Sequence, residues 1–235
     1  MPRIADGFDV DGRVSDSSDP QGCRRDDFTS SDGTPGVDNQ LALLLPLVDQ
    51  MTGGALDGAI QAAINNGQLL VTITIDDLDN RCNDDHIGIT FQRVAGMPSV
   101  GADMRIDPGQ TFDLQRSEAT SRVDGRVREG FVEAGPFSLA IPIAVLDARF
   151  TLNFYAARFR ARLLDDGGLD GIVGGGVSRE EFSVHVHSFN IPMALMSTID
   201  GALQLFADLA PDARGRCAQV SGAMRLDGRP AFVNP

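Results

Sequence analysis

The chain has 235 residues, of which 42% are apolar, and this size and composition support a substantial core in one large domain. Its formal net charge of −13 disfavours contact with nucleic-acid phosphates or anionic lipid. No apolar run approaches the roughly 20 residues that a membrane helix needs, so we expect no membrane span and no nucleic-acid partner.

Aspartate dominates the acidic residues. All but five of the 33 acidic residues are aspartate, and every one of the 20 basic residues is arginine. Aspartate disfavours helix interiors and hydrogen-bonds nearby backbone groups. The bias therefore predicts a turn-rich protein with many loops.

The first 40 residues form an Asp-rich segment, for which we predict irregular structure packed against a single domain of residues 41–235. Two helices follow this segment. Asp38 stands at the N-cap position of the first helix, and the second fits the apolar spacing over 56–64. The apolar positions of the first helix recur at helical spacing: Leu41, Leu44, Leu45 and Val48.

Apolar residues change from a helical period to a period of two after Leu69. The alternation over 69–75 and 87–94 is typical of half-buried antiparallel strands, and shorter strands are expected over 111–115 and 122–132. The longest strand pattern runs over 137–163. Its apolar phase shifts by one residue near Ala156 and Ala157, which indicates a β-bulge.

The carboxy-terminal third begins with a glycine-rich stretch over 165–176, for which we predict a loop. Ser178 and Glu181 then have the spacing of a capping box, which predicts a helix with apolar positions at Phe182, Val186 and Phe189. A further helix fits 195–206, a strand fits 217–226, and 231–233 form a short apolar end.

Strands in the middle of the chain with helices on both sides predict a mainly β (α+β) class. The architecture that we expect is an antiparallel β-sandwich with flanking amino-terminal and carboxy-terminal helices.

Three cysteines, Cys23, Cys82 and Cys217, lie far apart among turn-forming residues, with no C-x-x-C pair. An odd number permits one disulfide with one free thiol, or three thiols. Because inert core cysteines usually lie inside apolar runs, the turn context favours one disulfide and an oxidising compartment. The sequence does not decide which two cysteines form the disulfide.

Histidines offer one route to a metal site. His185 and His187 would point to the same side of a strand, where His86 could complete a zinc or copper site. The capping box instead predicts a helix, on which residues two apart do not share a face. A three-histidine site is therefore disfavoured.

Calcium is the better metal hypothesis, because it prefers carboxylate oxygens. None of the acidic stretches follows a known calcium-loop spacing, and solvated turns are the competing interpretation. The candidate ligands lie in the first segment and in the acidic loop over 76–85: Asp9, Asp11, Asp16, Asp77, Asp79 and Asp84.

A row of arginines is the one concentrated basic feature. Arg158, Arg160 and Arg162 alternate with apolar residues, so on a strand they would line one face and bind a carboxylate, sulfate or acidic glycan. The competing interpretation pairs them with acids on the neighbouring strand, for which Asp124 and Glu129 are candidates.

Catalytic motifs are missing from the sequence. There is no G-x-S-x-G elbow and no phosphate-binding glycine loop, and the aspartates are too numerous to single out a pair for glycoside hydrolysis. We therefore assign no catalytic residue.

Both ends of the chain carry a recurrent layout, in GFDVDGRVSDSSDPQGC, DFTSSDGTPGVDNQ and the late GRCAQVSGAM. This layout resembles that of uncharacterised predicted exported lipoproteins of Gram-negative bacteria. The resemblance implies a periplasmic, outer-membrane-associated or extracellular location, and it implies no activity, cofactor or functional residue.

These observations favour a non-catalytic exported binding or structural module of the cell envelope, stabilised by calcium, with a protein or glycan as its partner. The alternatives are an envelope hydrolase acting on glycan or ester, and a carrier of apolar ligands. A large enclosed apolar pocket would favour the carrier, and a cleft with two facing carboxylates of raised pKa would favour the enzyme.

Overall fold

Strands dominate the computed structural model, which describes residues 3–51, 54, 56–145, 148–188 and 193–234. The prediction of a mainly β chain is therefore confirmed. The helices are α1 (Leu41–Met51), α2 (Leu56–Asn65), α3 (Arg179–Ser188) and α4 (Met193–Phe206). The strands are β1 (Phe28–Thr29), β2 (Pro35–Val37), β3 (Val71–Asp76), β4 (Asp84–Ala95), β5 (Gln110–Leu114), β6 (Ser121–Arg128), β7 (Phe131–Val145), β8 (Ala148–Leu163), β9 (Leu169–Ser178), β10 (Leu209–Pro211), β11 (Cys217–Gly228) and β12 (Ala231–Asn234).

Ten strands pair into one large sheet in the order β10-β11-β9-β8-β7-β6-β4-β5-β12, with β3 also paired to β4. β1 and β2 form a separate two-stranded sheet. Pairing is antiparallel for β3–β4, β4–β6 and β6–β7, whereas β12 runs parallel to β5. In the described ranges no helix is long and apolar enough to cross a membrane.

Residue contacts divide the chain into two compact units, and β8, β9 and β11 contribute residues to both. The first unit comprises Met1–Ala55, Asn153–Arg158 and Ile172–Met224; the second comprises Leu56–Leu152, Phe159–Gly171 and Arg225–Pro235. The predicted Asp-rich segment thus belongs to the first unit, together with α1, α3 and α4.

Each unit has its own apolar core. In the first unit, Leu44 of α1 packs with Leu203 of α4 and Val220 of β11, all at most 2% exposed. In the second, Phe91 stacks on Phe137 at 5.7 Å between ring centroids and meets Phe159 edge-on at 5.3 Å. Burial of these large side chains supplies the main driving force for folding in each unit.

The bulge predicted in β8 is present. Ala156 has a φ of 50°, a left-handed conformation. Phe154 before it and Ala157 and Phe159 after it are buried, at 1%, 0% and 1% exposure. One extra residue therefore shifts the inward-facing positions from even to odd numbers, as the apolar pattern predicts.

Two strand predictions are wrong in detail. The strand predicted over 122–132 is a hairpin, because β6 and β7 are separated by Glu129 and Gly130, both with positive φ. Such a two-residue turn matches the twist of paired strands. The loop predicted over 165–176 is largely strand β9.

Close packing explains the glycines of β9. A Cβ at Gly175 would lie 2.8 Å from the carbonyl oxygen of Tyr155 and 3.0 Å from Cα of Ala157. A Cβ at Gly171 would lie 2.4 Å from Cβ of Ala161. These glycines allow neighbouring strands to approach closely, a role that the sequence does not distinguish from that of turn glycines.

The helix predicted after Ser178 is confirmed as α3. The hydroxyl oxygen of Ser178 accepts the N–H of Glu181 at 3.3 Å. The carboxylate of Glu181 does not complete the box but accepts the hydroxyl of Tyr155 at 2.5 Å and the side-chain amide of Asn153 at 3.1 Å. It therefore ties α3 to β8. Phe189, the last predicted apolar position of this helix, lies outside the described residues.

One disulfide joins Cys23 to Cys217, with a Cα–Cα distance of 6.0 Å, and Cys82 is an exposed free thiol. The prediction of one disulfide and one thiol is confirmed. The bridge fixes the amino-terminal segment to β11 across a sequence separation of 194 residues.

Removal of the disulfide should destabilise the protein strongly. For a loop of this length, the chain-entropy model gives a stabilisation on the order of 5 kcal/mol. We expect urea unfolding to show a loss of a few kcal/mol for Cys23→Ser/Cys217→Ser and little change for Cys82→Ser. Equal stability of the double variant and the wild type would contradict a structural role for the bridge.

Substitution of strand glycines should also be costly. We expect Gly175→Ala to lower the free energy of unfolding by about 1–3 kcal/mol, because its Cβ would press on backbone atoms of β8. Gly201→Ala, on α4 with no atom within 4 Å of its Cβ, should instead stabilise by about 0.5–1 kcal/mol. Denaturant unfolding of both variants measures these changes. An unchanged free energy of unfolding for Gly175→Ala would contradict close packing at β9.

Candidate divalent-cation site

Buried polar side chains attach the amino-terminal segment to the first unit. Asp38, Asn39 and Gln40 are 3%, 7% and 1% exposed. The backbone N–H of Gln40 donates to the hydroxyl oxygen of Ser221 at 2.9 Å, and its side-chain amide donates to the carbonyl oxygen of Asp26 at 3.0 Å. Both bonds satisfy polar groups that burial would otherwise penalise, and the bond to Ser221 fixes the segment onto β11.

Asp38 does not cap α1, so that prediction is wrong. Its carboxylate oxygen Oδ2 accepts the N–H groups of Val10 at 2.7 Å and Asp11 at 3.3 Å. The side chain is thus turned towards the start of the amino-terminal segment, where these N–H groups have no strand or helix partner. Asp38 is a tertiary anchor instead of a local cap.

Three carboxylates converge at this anchor, which we call the aspartate trio: Asp9, Asp11 and Asp38. One oxygen from each lies within 4.8 Å of the other two. Asp38 is buried, whereas Asp9 and Asp11 are exposed. Because Ca²⁺ binds oxygens at about 2.3–2.6 Å, two ligands on opposite sides of the ion are about 5 Å apart. The trio therefore has a spacing that one cation can bridge.

A tight turn brings Asp9 and Asp11 to the same place. Oδ1 of Asp9 accepts the N–H groups of Gly12 at 2.6 Å and Arg13 at 3.1 Å, and Oδ1 of Asp11 accepts the N–H of Arg13 at 3.0 Å. Gly12 has a φ of 78°, a conformation that glycine adopts without strain. The D-x-D-G sequence thus folds locally into a turn lined with carboxylates.

Burial and mutual repulsion raise the pKa of Asp38 to about 8. Desolvation is the largest cause, the N–H of Val10 opposes it, and the charges of Asp208, Asp11 and Asp27 raise the pKa further. No arginine is among the groups that shift it most. Within the described residues, an ionised Asp38 therefore has no basic group among the main influences on its pKa.

Burial also raises the pKa of two further carboxyls near the trio, those of Asp208 and Asp27. Burial raises the pKa of Asp208 to about 7, against hydrogen bonds to its carboxylate from the hydroxyl (2.5 Å) and N–H (2.8 Å) of Ser221. Burial raises the pKa of Asp27 to about 6, against a hydrogen bond from the N–H of Ser15, with the charges of Asp11 and Asp9 adding to the rise. Negative charge accumulates here, and either protons or a cation would relieve it.

The sequence identifies Asp9 and Asp11 as candidate ligands, but it does not identify Asp38 as the third member of the trio or the burial of Asp27 and Asp208. The residues adjacent to them in sequence do indicate that these aspartates are buried. Phe28 follows Asp27, Val37 precedes Asp38, and Ala207 and Leu209 flank Asp208; all of these apolar residues are buried. An aspartate next to residues destined for the core is a candidate for burial.

The other predicted metal ligands belong to turns. Oδ1 of Asp16 accepts the N–H and the hydroxyl of Ser18, which lowers the pKa of Asp16. The carboxylate of Asp84 accepts the N–H groups of His86, Asp79 and Asn80, which lowers its pKa. In the described part of the chain, Asp77, Asp79 and Asp84 do not form a group with three ligand atoms close together.

The arginine row lies on β8, with Phe159 and Ala161 buried between the arginines. Nε of Arg160 lies 3.5 Å from Glu133 on β7, and its guanidinium stacks over Phe131 at 4.3 Å. The pairing partner is thus Glu133, not Asp124 or Glu129 as predicted. Arg162 is exposed and has no ion pair within the described ranges, and Nε of Arg158 is buried without an acceptor there.

Among the described residues, the three histidines do not form a group with ligand atoms close together. His185 and His187 lie on α3, and His86 lies on β4. Nε2 of His187 is 2.8 Å from one oxygen of Asp200, and the hydroxyl of Ser183 donates to the other at 2.6 Å. The carboxylate separates the serine from the imidazole, so this contact joins α3 to α4 without activating a nucleophile.

Stability of the metal-free protein should fall as pH rises. The pKa values of Asp38, Asp208 and Asp27 in the folded chain, about 8, 7 and 6, exceed the ordinary value of 3.8. The folded chain then binds more protons than the unfolded chain between about pH 4 and pH 8, so the free energy of unfolding decreases over this range.

Urea unfolding in chelator at pH 5, 6, 7 and 8 measures this slope. The carboxyls of lowered pKa titrate below this window, so they do not mask it. Asp38→Asn, which resembles the protonated side chain, should flatten the dependence. Stability that rises from pH 5 to pH 8 without metal would contradict the burial of unpaired carboxyls.

Comparison with known proteins assigns no relative: no family model, curated protein or solved structure matches the chain. The candidate site is therefore defined by the residues and geometry of this chain alone.

Proposed function

We propose that this protein is a non-catalytic exported binding or structural module of the cell envelope, whose amino-terminal segment is stabilised by calcium. The observation that carries the proposal is the aspartate trio, with one oxygen from each side chain within 4.8 Å of the others. When it is ionised, buried Asp38 needs a positive partner, and exposed Asp9 and Asp11 leave a route for an ion from solvent.

The donor set favours calcium over other divalent metals. All three ligands are carboxylate oxygens, whereas zinc in proteins prefers cysteine and histidine. Calcium accepts irregular arrangements of six to eight oxygens, and magnesium demands a near-octahedral shell with several waters. A trio formed by a local turn and one distant anchor suits the less demanding ion.

A cation at this position would have a structural consequence. It would bind the turn at Asp9 and Asp11 to Asp38, directly before α1, while the disulfide holds Cys23 to β11. The segment would then be fastened at two points. Ordered acidic loops fixed in this way are a surface on which a protein or glycan partner could bind.

Export is supported by the disulfide, because such bonds persist in oxidising compartments. The periplasmic, outer-membrane-associated or extracellular location remains part of the proposal, as does the β-sandwich with flanking helices. Arg158, Arg160 and Arg162 remain proposed contacts for an acidic ligand, of which exposed Arg162 offers its donors most freely.

Neither alternative function gains comparable support. Asp38 and Asp208 have the raised pKa values expected of catalytic acids, but each is only 3% exposed, so a glycan or ester could not reach them. A carrier needs an enclosed apolar cavity, whereas Phe91, Phe137 and Phe159 pack against one another inside the second unit.

Calcium should raise the melting temperature of the wild-type protein, and chelator should lower it. A calcium concentration of 100 Kd stabilises by about 2.7 kcal/mol, which corresponds to roughly 5–10 °C for a chain of this size. Asp38→Asn should lose this response. In chelator at pH 8, the same variant should melt at or above the wild-type temperature, because it removes a buried carboxyl that is partly ionised at that pH.

Asp79→Asn is the matched control, since it makes the same side-chain substitution in the other acidic loop. It should keep the full calcium response. A melting temperature insensitive to calcium and chelator would refute the proposal, and a response lost in Asp79→Asn but kept in Asp38→Asn would move the site to the loop over 76–85.

A further inference from the structure

A small cleft lies in the second unit between the end of β7 and the start of β8, far in sequence from the aspartate trio. It has a volume of about 200 Å³. Its walls include Arg93, Glu118, Pro142, Ile143, Arg149 and Phe150. Pockets for drug-sized ligands have volumes of about 300–1,000 Å³, so this smaller cleft suits a molecule of a single small ring.

Arg93 is held rigidly in the wall of this cleft. Its side chain is only 13% exposed. One terminal nitrogen lies 3.2 Å from the carboxylate of Glu118, and the other donates to the carbonyl oxygen of Gln68 at 2.9 Å. Its Nε is buried and has no hydrogen-bond partner in the described part of the chain. The guanidinium is therefore pre-positioned, and its Nε is a donor without a partner among the described residues.

Arg149 supplies a second guanidinium. It is exposed, and within the described ranges it has no ion pair. The two arginines outweigh the single carboxylate of Glu118, so the cleft has a local positive charge in a chain whose net charge is −13. A guanidinium binds carboxylates through two parallel hydrogen bonds, and this geometry gives specificity as well as affinity.

The remaining walls narrow the ligand class. Pro142, Ile143 and Phe150 offer apolar surface to one face of a ring. Glu118 keeps carboxylate lone pairs that can accept hydroxyl protons beyond its contact with Arg93. A ligand complementary to the arginine, to the apolar side chains and to Glu118 carries a carboxylate, an apolar ring face and hydroxyl groups.

We propose that this cleft binds a uronic acid, either free or as the end of an acidic glycan, with Arg149 on the carboxylate and Glu118 on a hydroxyl. Phe150 packs against the ring. The site includes no residue of the aspartate trio or of the arginine row, so we expect it to bind without calcium. It gives the module a defined class of ligand.

Glucuronic acid is the probe, followed by isothermal titration and ligand-observed NMR with glucose and benzoate for comparison. We expect glucuronate to bind with a Kd on the order of 1 mM. Glucose, which lacks the carboxylate, should bind at least tenfold more weakly. Benzoate, which lacks the hydroxyls, should also bind more weakly.

Arg149→Ala should weaken glucuronate binding at least tenfold. Arg149→Lys should keep part of the affinity, because lysine supplies the positive charge but not the two parallel hydrogen bonds of a guanidinium. Arg214→Ala is the matched control, because it removes an exposed arginine from a turn in the first unit. Its affinity for glucuronate should equal that of the wild type. Unchanged melting temperatures show that each variant is folded.

Three results would overturn the assignment: no glucuronate binding at about 20 mM, equal binding by Arg149→Ala, or equal binding of glucose. Benzoate binding as tight as glucuronate would refute the role of Glu118 and reassign the cleft to simple carboxylates. Glu118→Gln tests that role separately, since it should weaken glucuronate relative to benzoate, whereas a loss of negative charge alone would strengthen both.

Discussion

Burial of negative charge is the constraint on which the first unit depends. Asp38 and Asp208 are each 3% exposed, and they lie close enough that the charge of Asp208 raises the pKa of Asp38. An ionised group buried without a partner costs several kcal/mol, a large fraction of the stability of a typical domain. The folded chain must therefore take up protons or a cation here, and the turn at Asp9 and Asp11 brings the additional oxygens that a cation requires.

The amino-terminal segment is consequently part of the fold and not a tail. Its attachment to β11 combines the disulfide at Cys23 with hydrogen bonds that join Gln40 to Ser221 and Asn39 to Ala223, and the carboxylate of Asp38 holds the start of the segment near its end. Each depends on a different condition: the disulfide on redox state, the carboxylates on pH and metal, and the amide bonds on neither. This combination suits an oxidising environment that contains calcium, which is the setting proposed for the protein.

Much of the fold could be predicted because it follows from local periodicity. Alternation of apolar residues located β3 and β4, and the phase shift at Ala156 located the bulge in β8. Prediction failed where distant parts of the chain decide the outcome. The glycines of β9 resemble turn residues until β8 is placed beside them, and Asp38 resembles a helix cap until Val10 and Asp208 surround it. Asp9 and Asp11 could be named from their turn, whereas their buried partner could not.

A crystal structure of the protein grown with calcium, with anomalous scattering used to locate the ion, is the most direct test of the account. We predict one calcium peak with oxygens of Asp9, Asp11 and Asp38 about 2.3–2.6 Å away. A calcium-grown crystal in which these carboxylates contact only water or one another would contradict the central claim, and so would a calcium peak confined to the loop over 76–85.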